Sequence, residues 1–353
     1  MMRSPFTIAL AGLALSACSQ TDPQQTTSAA LTEGVLVPGY SSWVETNRQL
    51  ASSGAAFCAD QQDLATARQA FLGAQSAWAG LQPMLVGPMG EGNLSWQVQF
   101  WPDKKNLVAR QVTALLNKTP QVTPAILDKS SVVVQGLTAY EYVLYDTSID
   151  LNDPAQKARY CPLLTAIGDH QQALSTHVLE QWQAEDGISA QLKTFPNERY
   201  AEPTEAIAEL LRTQVTAIDG LKKKLGTPMG RQSKGTPQPY QAEAWRSNAS
   251  MSNVSATLAG AEKIWHGANN DGIQALLGDD NKALKDKIDA AYAETRAQLA
   301  TLQRPLSEML KDEQGRKSLN DFYETLNILH RLHEGELART LGIQLGFNAN
   351  DGD

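Results

Sequence analysis

The chain has 353 residues, a formal charge of -8 and only three cysteines. An acidic balance of this kind argues against nucleic-acid binding, which needs a concentrated positive surface to meet phosphate. The length exceeds what one hydrophobic core usually serves, so two domains are expected.

At the N-terminus, Arg3 precedes an uncharged apolar run from Pro5 to Leu15. A bilayer span needs roughly 20 apolar residues, so this run is too short to cross one. Its basic start, short apolar stretch and small exit residues have the form of a secretory signal. Leu15, Ser16, Ala17 and Cys18 resemble a lipobox, at which the signal is cut and the cysteine acylated; the alternative is an ordinary signal-peptidase site. The lipobox reading predicts a signal peptide over 1–17 and a lipid-anchored envelope protein with Cys18 as its first residue. Losing Arg3 moves the formal charge from -8 to -9. Ser19 stands where inner-membrane lipoproteins often carry Asp, which by resemblance implies the outer membrane, facing the periplasm. Residues 18–34 are polar apart from Leu31, too poor in apolar surface to offset the entropy of ordering, and predict a flexible tether.

Beyond it the predicted elements are helices. Leu64, Ala67, Phe71, Ala74, Trp78 and Leu81 fall three and four apart, on one helical stripe. Asp153 and Pro154 form an N-cap and first-turn pair for the stripe Tyr160, Leu163, Ile167, Leu174 and Val178. Further stripes run from Ile207 to Leu225, Leu284 to Leu302 and Leu319 to His333. The fold class is therefore all-α, built of bundles. A repeat is visible in LQPMLVGPMG (81–90) and LKKKLGTPMG (221–230). Each ends a helix and leads through an irregular stretch to a tryptophan, Trp101 and Trp245, followed by a helix, a short apolar turn and two long helices. Two bundles from a tandem duplication are expected, 35–190 and 191–353, with their boundary near the loop 186–200. Cys58 and Cys161, an even pair in an exported chain, predict a disulfide, with two buried thiols as the alternative.

Residues 132–145, VVVQGLTAYEYVLY, are apolar nearly all round and predict a buried helix whose only charge is Glu141. A carboxylate enclosed in this way must meet a cation, a metal or several donors, or else be protonated. Pairing with a structural arginine would satisfy it equally well. Thr138 and Tyr145 share its helical face, and Gly136 permits another backbone to come close.

GLTAYE, 136–141, resembles the GxHxxE signature of the imelysin family, with Thr138 in place of the histidine. AWAGLQPMLVGP, FWPDKKNLVARQV, AEAWRSNASMSNV and the C-terminal LGIQLGFNANDGD are similar to that family too, so the resemblance covers about 39–353. It implies two helical bundles with the signature helix near their interface, and a periplasmic or surface role often linked to iron acquisition; one branch is named for insulin-cleaving protease activity. Thr138 weakens the expectation of a protease or of a His-plus-Glu metal site, since hydroxyl is a poorer ligand than imidazole. The remaining oxygens of Glu141, Tyr140, Tyr142, Tyr145 and Asp146 would suit iron or another hard cation. The leading expectation is an imelysin-like lipoprotein that binds a metal or small ligand at the bundle interface in support of iron uptake, without catalysis. Glu141, Thr138, Gly136, Trp101, Arg246 and Ser247 would bind the ligand, and Glu141 any metal. A metallopeptidase and a scaffold for envelope partner proteins are the alternatives. Arg246 could pair with Glu141, an acidic ligand or Asp351, while Ser247 or Ser250 could instead cap a helix. His330, His333 and Glu334 are expected to pack or face solvent, as are His170 and His177. Lys222 to Lys224 read as a solvated helix end.

Overall fold

The computed structural model describes residues 22–345, so the expected signal peptide over 1–17, Cys18 and Asp351 lie outside the described residues. Within them the chain is helical, with no strand. The N-terminal part comprises α1 (Pro23–Leu31), α2 (Val37–Cys58), α3 (Leu64–Leu81), the short α4 (Leu94–Val98), α5 (Leu107–Lys118), α6 (Pro124–Leu127), α7 (Leu137–Tyr145) and the long α8 (Pro154–Gln183). After α9 (Ile188–Gln191) come α10 (Pro203–Gly226), α11 (Ser250–His266), α12 (Lys282–Thr301), α13 (Leu306–Met309), α14 (Glu313–Arg331) and α15 (Ala338–Thr340).

α2 packs against α3 and α8, and α7 fits between α3, α5 and α8, which makes the first bundle. In the second, α10 and α12 pack on α14, and α11 packs on α10. The expected all-α, two-bundle architecture is present, and the order of elements after α3 and after α10 is compatible with duplication. One departure is α7, only 9 residues long where the repeat leads to a long helix. The bundles share a continuous apolar core. They meet where α3 crosses α11: Thr257 donates to the Ala79 carbonyl at 2.8 Å, and Gly260 lies directly on the Gly80 backbone. The predicted disulfide is formed, Cys58 at the end of α2 joining Cys161 in α8.

The sequence expectation of a tether through residue 34 fails from Asp22 onward. Asp22 caps α1 by accepting from the Gln24 N–H at 2.7 Å, Pro23 sits in its first turn, and Ser28, Leu31 and Thr32 are fully buried. Ser28 donates to the Leu192 carbonyl at 2.6 Å and Gln25 to that of Lys193 at 3.0 Å, so polar side chains anchor this helix to the inter-bundle linker. Apolar content alone missed it because hydroxyl and amide bonds supply the ordering. α1 continues into α2 through a π turn over Thr32–Leu36, in which the Val37 N–H reaches the Thr32 carbonyl. The widened turn precedes Pro38, which has no N–H to give a helix and crowds the turn before it.

Candidate functional site

The predicted helix over 132–145 begins later than its composition suggests. Residues 132–134 form a single 3-10 turn, Gly136 is extended, and α7 starts at Leu137. The reason is a close approach: a methyl group on Gly136 would overlap the Val98 carbonyl, and Gln171 ties this crossing by donating to the Gln97 and Gln135 carbonyls at 2.8 and 3.1 Å. This fixes the start of α7 and sets Glu141 one turn in, only 3 % exposed.

The partner of Glu141 comes from the loop before α11. Both the backbone N–H and the hydroxyl of Ser247 donate to its Oε1, at 2.8 and 2.7 Å. Ser247 therefore holds the buried acid and does not cap α11, while Ser250 donates to the Glu243 carbonyl. Arg246 turns its guanidinium past Glu141: Nε donates to Asp146 Oδ2 at 2.8 Å and Nη2 to Asn106 Oδ1 at 2.7 Å. The group stacks over Trp245 at 4.4 Å, and its side chain is 2 % exposed. Burial raises the Glu141 carboxyl above the ordinary glutamate range, against the Ser247 hydrogen bonds and the positive field of Arg246, with Glu243 adding to the rise. Asp146 shows the opposite balance. Its partial burial pushes upward, but hydrogen bonds from Arg246 and Ser148 leave it below its ordinary value.

Glu141, Thr138, Trp101, Arg246, Gln75, Gln99 and Asp103 line an enclosed cavity of about 10 Å³, room for about one water-sized oxygen. Thr138 donates to the Phe100 carbonyl at 2.9 Å and Trp101 to that of Gln241 at 3.0 Å. The structure thus brings the six expected residues to one place between the bundles, with Gly136 acting through the backbone crossing. Outside this cavity, and sharing Asp103, Tyr240 and Trp245 with it, lies a cleft of about 510 Å³ that also includes Lys105, Pro237 and Pro239. Tyr240 stands 69 % exposed at its edge, 4.9 Å from the Trp245 ring.

Sequence reasoning missed Gln75, Glu243 and Lys224. Gln75 is a buried amide on the otherwise apolar face of α3, and its Nε2 has no hydrogen-bond partner. The Arg246 Nη1 is likewise buried without a partner. Glu243 is buried and pairs with Lys224 at 2.7 Å, while Lys224 also donates to Gln82 at 2.9 Å. The expectation of a wholly solvated lysine run is corrected here: the third lysine crosses to an acid hidden in the irregular stretch. His333 is packed as expected, fully buried with Nε2 3.2 Å from the Tyr292 hydroxyl.

The oxygen set expected to serve a metal does not converge. Tyr140 donates to the Leu50 carbonyl, Tyr145 to that of Arg68, and Asp146 is taken by Arg246. The cavity's two carboxylates are also engaged, Glu141 by Ser247 and Asp103 by the N–H groups of Leu107 and Val108 at the start of α5. Among the described residues no three His, Cys, Asp or Glu side chains gather to hold an ion. The unpartnered groups at the cavity are N–H donors, which fit a lone pair rather than a cation. The residues present therefore do not fit a metal bound directly at Glu141.

No curated protein matches the chain. Among solved structures it is similar to an imelysin-like protein from Psychrobacter arcticum, with 21 % identity, TM-score 0.79, and 92 % of this chain and 97 % of that one covered. It is also similar to an iron-regulated protein A precursor from Parabacteroides distasonis, with 15 % identity, TM-score 0.72, and 90 % and 96 % covered. At these identities the likeness concerns the fold. The Peptidase_M75 (imelysin) family model matches residues 36–333, nearly the whole described body including the signature helix, and the chain belongs to the imelysin family.

Proposed function

We propose that this imelysin is a lipid-anchored envelope protein that binds a small, oxygen-rich anion at its bundle interface in support of iron uptake, without catalysing a reaction. The observation that carries the ligand class is the pair of buried donors without partners, Gln75 Nε2 and Arg246 Nη1, beside a cavity with room for about one oxygen atom. A buried donor left unsatisfied costs about 1–3 kcal/mol, so an incoming carboxylate oxygen would recover that loss. The body of the ligand would lie in the outer cleft against Tyr240 and Trp245, with Lys105 at the rim. A cleft of this size suits a small molecule.

The link to iron rests on the name of one structural relative, iron-regulated protein A precursor. The two unpartnered N–H donors favour iron carried inside an anionic chelate over a bare ion. The lipid anchor rests on the LSAC motif alone, and with it the placement at the outer membrane. Envelope partner proteins would then be reached from that surface. The peptidase alternative gains no support from the site, because a catalytic metal needs about three protein ligands and an open position.

Ferric citrate, citrate alone and ferric ion alone serve as probes, followed by tryptophan fluorescence and calorimetry on the soluble body. Citrate is expected to bind with or without iron, and Gln75→Leu and Arg246→Met to weaken it at least about tenfold, the value of one good hydrogen bond to a charged group. Binding of ferric ion alone that is lost in Glu141→Gln would instead favour a metal site. No response to either citrate probe would overturn the anion reading.

A further inference from the structure

We infer that α1 is a rigid stem, and that it sets residues 192–204 against a phospholipid surface while the site faces away from it. This rests on the lipid-anchor reading of Cys18 and adds an orientation to it. Only residues 19–21 separate Cys18 from the capped start of α1 at Asp22, and four extended steps reach at most about 14 Å. From Asp22 onward the chain has little freedom to swing. Ser28 and Gln25 bond the linker carbonyls of Leu192 and Lys193, Thr204 donates to Gln24 Oε1, Lys193 pairs with Glu33 at 3.2 Å, and Gly34 packs on Ala268. Those contacts tie α1 and the π turn after it to the linker and the second bundle, and the unbroken run into α2 joins it to the first, so a membrane force on the N-terminus is passed to the whole body.

α10 is a ruler between the two ends. Thr204, in its first turn, touches α1. Lys224, in its last turn, touches Glu243, three residues before Arg246. The 20 residues between them rise about 30 Å at 1.5 Å each. α11 runs back in the opposite direction between the same two ends: its start lies beside Ser247 and its end leads to Ala268, against Gly34. The anchor and the site are thus at opposite ends of two helices, and the cleft mouth at Tyr240 opens to the aqueous side where a soluble ligand arrives.

The test uses the full, lipidated protein in phosphatidylcholine vesicles that carry an acceptor dye on a trace headgroup lipid. The two body cysteines are locked in their disulfide, so single donors can be placed at exposed Thr194→Cys, on the linker, and Thr147→Cys, beside the site. Energy transfer from position 147 is expected to be severalfold lower than from 194, because about 30 Å of helix rise along α10 separates the anchor end from the site end. A flexible Gly/Ser insert of about 15 residues between Thr21 and Asp22 is expected to erase the difference. Equal transfer from both positions without the insert would overturn the orientation. Cys18→Ser should leave the vesicles altogether; if the unsubstituted protein also fails to float with them, the lipid reading itself falls and takes the orientation with it.

Discussion

Glu141 shows how one side chain can be charged with two opposite tasks, hiding in a core and bonding across an interface. Ser247 offers its Oε1 two donors, and either a carboxylate or a neutral amide oxygen can accept them. Glu141→Gln is therefore expected to fold with near-native stability, whereas Glu141→Leu strands the half-buried Ser247 N–H and hydroxyl and should cost about 1–3 kcal/mol in chemical denaturation. The acid's folded value lies above its unfolded one, so between the two the native state holds the extra proton. Stability from this group must then fall as pH rises from the ordinary glutamate value to the raised one, and stay level above it. Glu141→Gln removes that slope. Comparing the pH dependence of unfolding free energy for the two proteins checks this, and parallel curves would contradict the buried, raised carboxyl.

The helices themselves were legible because each carries a stripe of apolar residues at helical spacing, and α3 and α8 fall where Leu64 to Leu81 and Asp153 to Val178 predict. What could not be read are bonds between a helix and an irregular stretch, since neither periodicity nor spacing marks them. α1 was hidden for that reason, and so was Lys224 at the end of α10. Its partner Glu243 sits in a loop with no pattern of its own, yet the pair is buried at both ends. Removing one partner leaves a lone charge in the interior, so Lys224→Met should destabilise the protein by about 3–5 kcal/mol. Replacing both, Lys224→Met with Glu243→Leu, removes the desolvated charges together and should recover most of that loss. A double-mutant cycle measured by urea denaturation reads the coupling directly; additive losses would mean the two groups do not depend on each other. The six residues expected at the site were within reach of the sequence because Glu141 was an isolated charge and Trp101 and Trp245 marked matched loops. The chemistry of the site was not, because the direction in which Tyr140, Tyr145 and Arg246 point depends on carbonyls far away in the chain.

At the scale of the whole molecule, everything proposed for the site depends on the two bundles keeping their register, since Glu141 belongs to one and Ser247 and Arg246 approach with the other. The register is set where α3 crosses α11 at two glycines, and the two are not equivalent. A methyl on Gly260 would run into the Gly80 carbonyl and crowd the Pro83 ring at 3.3 Å, with backbone on one side that cannot move alone. A methyl on Gly80 would meet only the Ala256 carbonyl at 3.5 Å, an ordinary contact. Gly260→Ala is thus expected to force the helices apart, with an overpacking loss of about 1–3 kcal/mol that exceeds the gain of about 1 kcal/mol from better helix propensity. Gly80→Ala should keep the propensity gain and be neutral or mildly stabilising. Because the shift in the first variant moves α11 away from α7, it should also weaken the citrate response, although neither glycine touches the cleft. Unfolding curves and the tryptophan titration on both variants decide the matter: equal behaviour of the two alanines would show that the interface is soft, and that the approach of Ser247 to Glu141 is held by the loop alone.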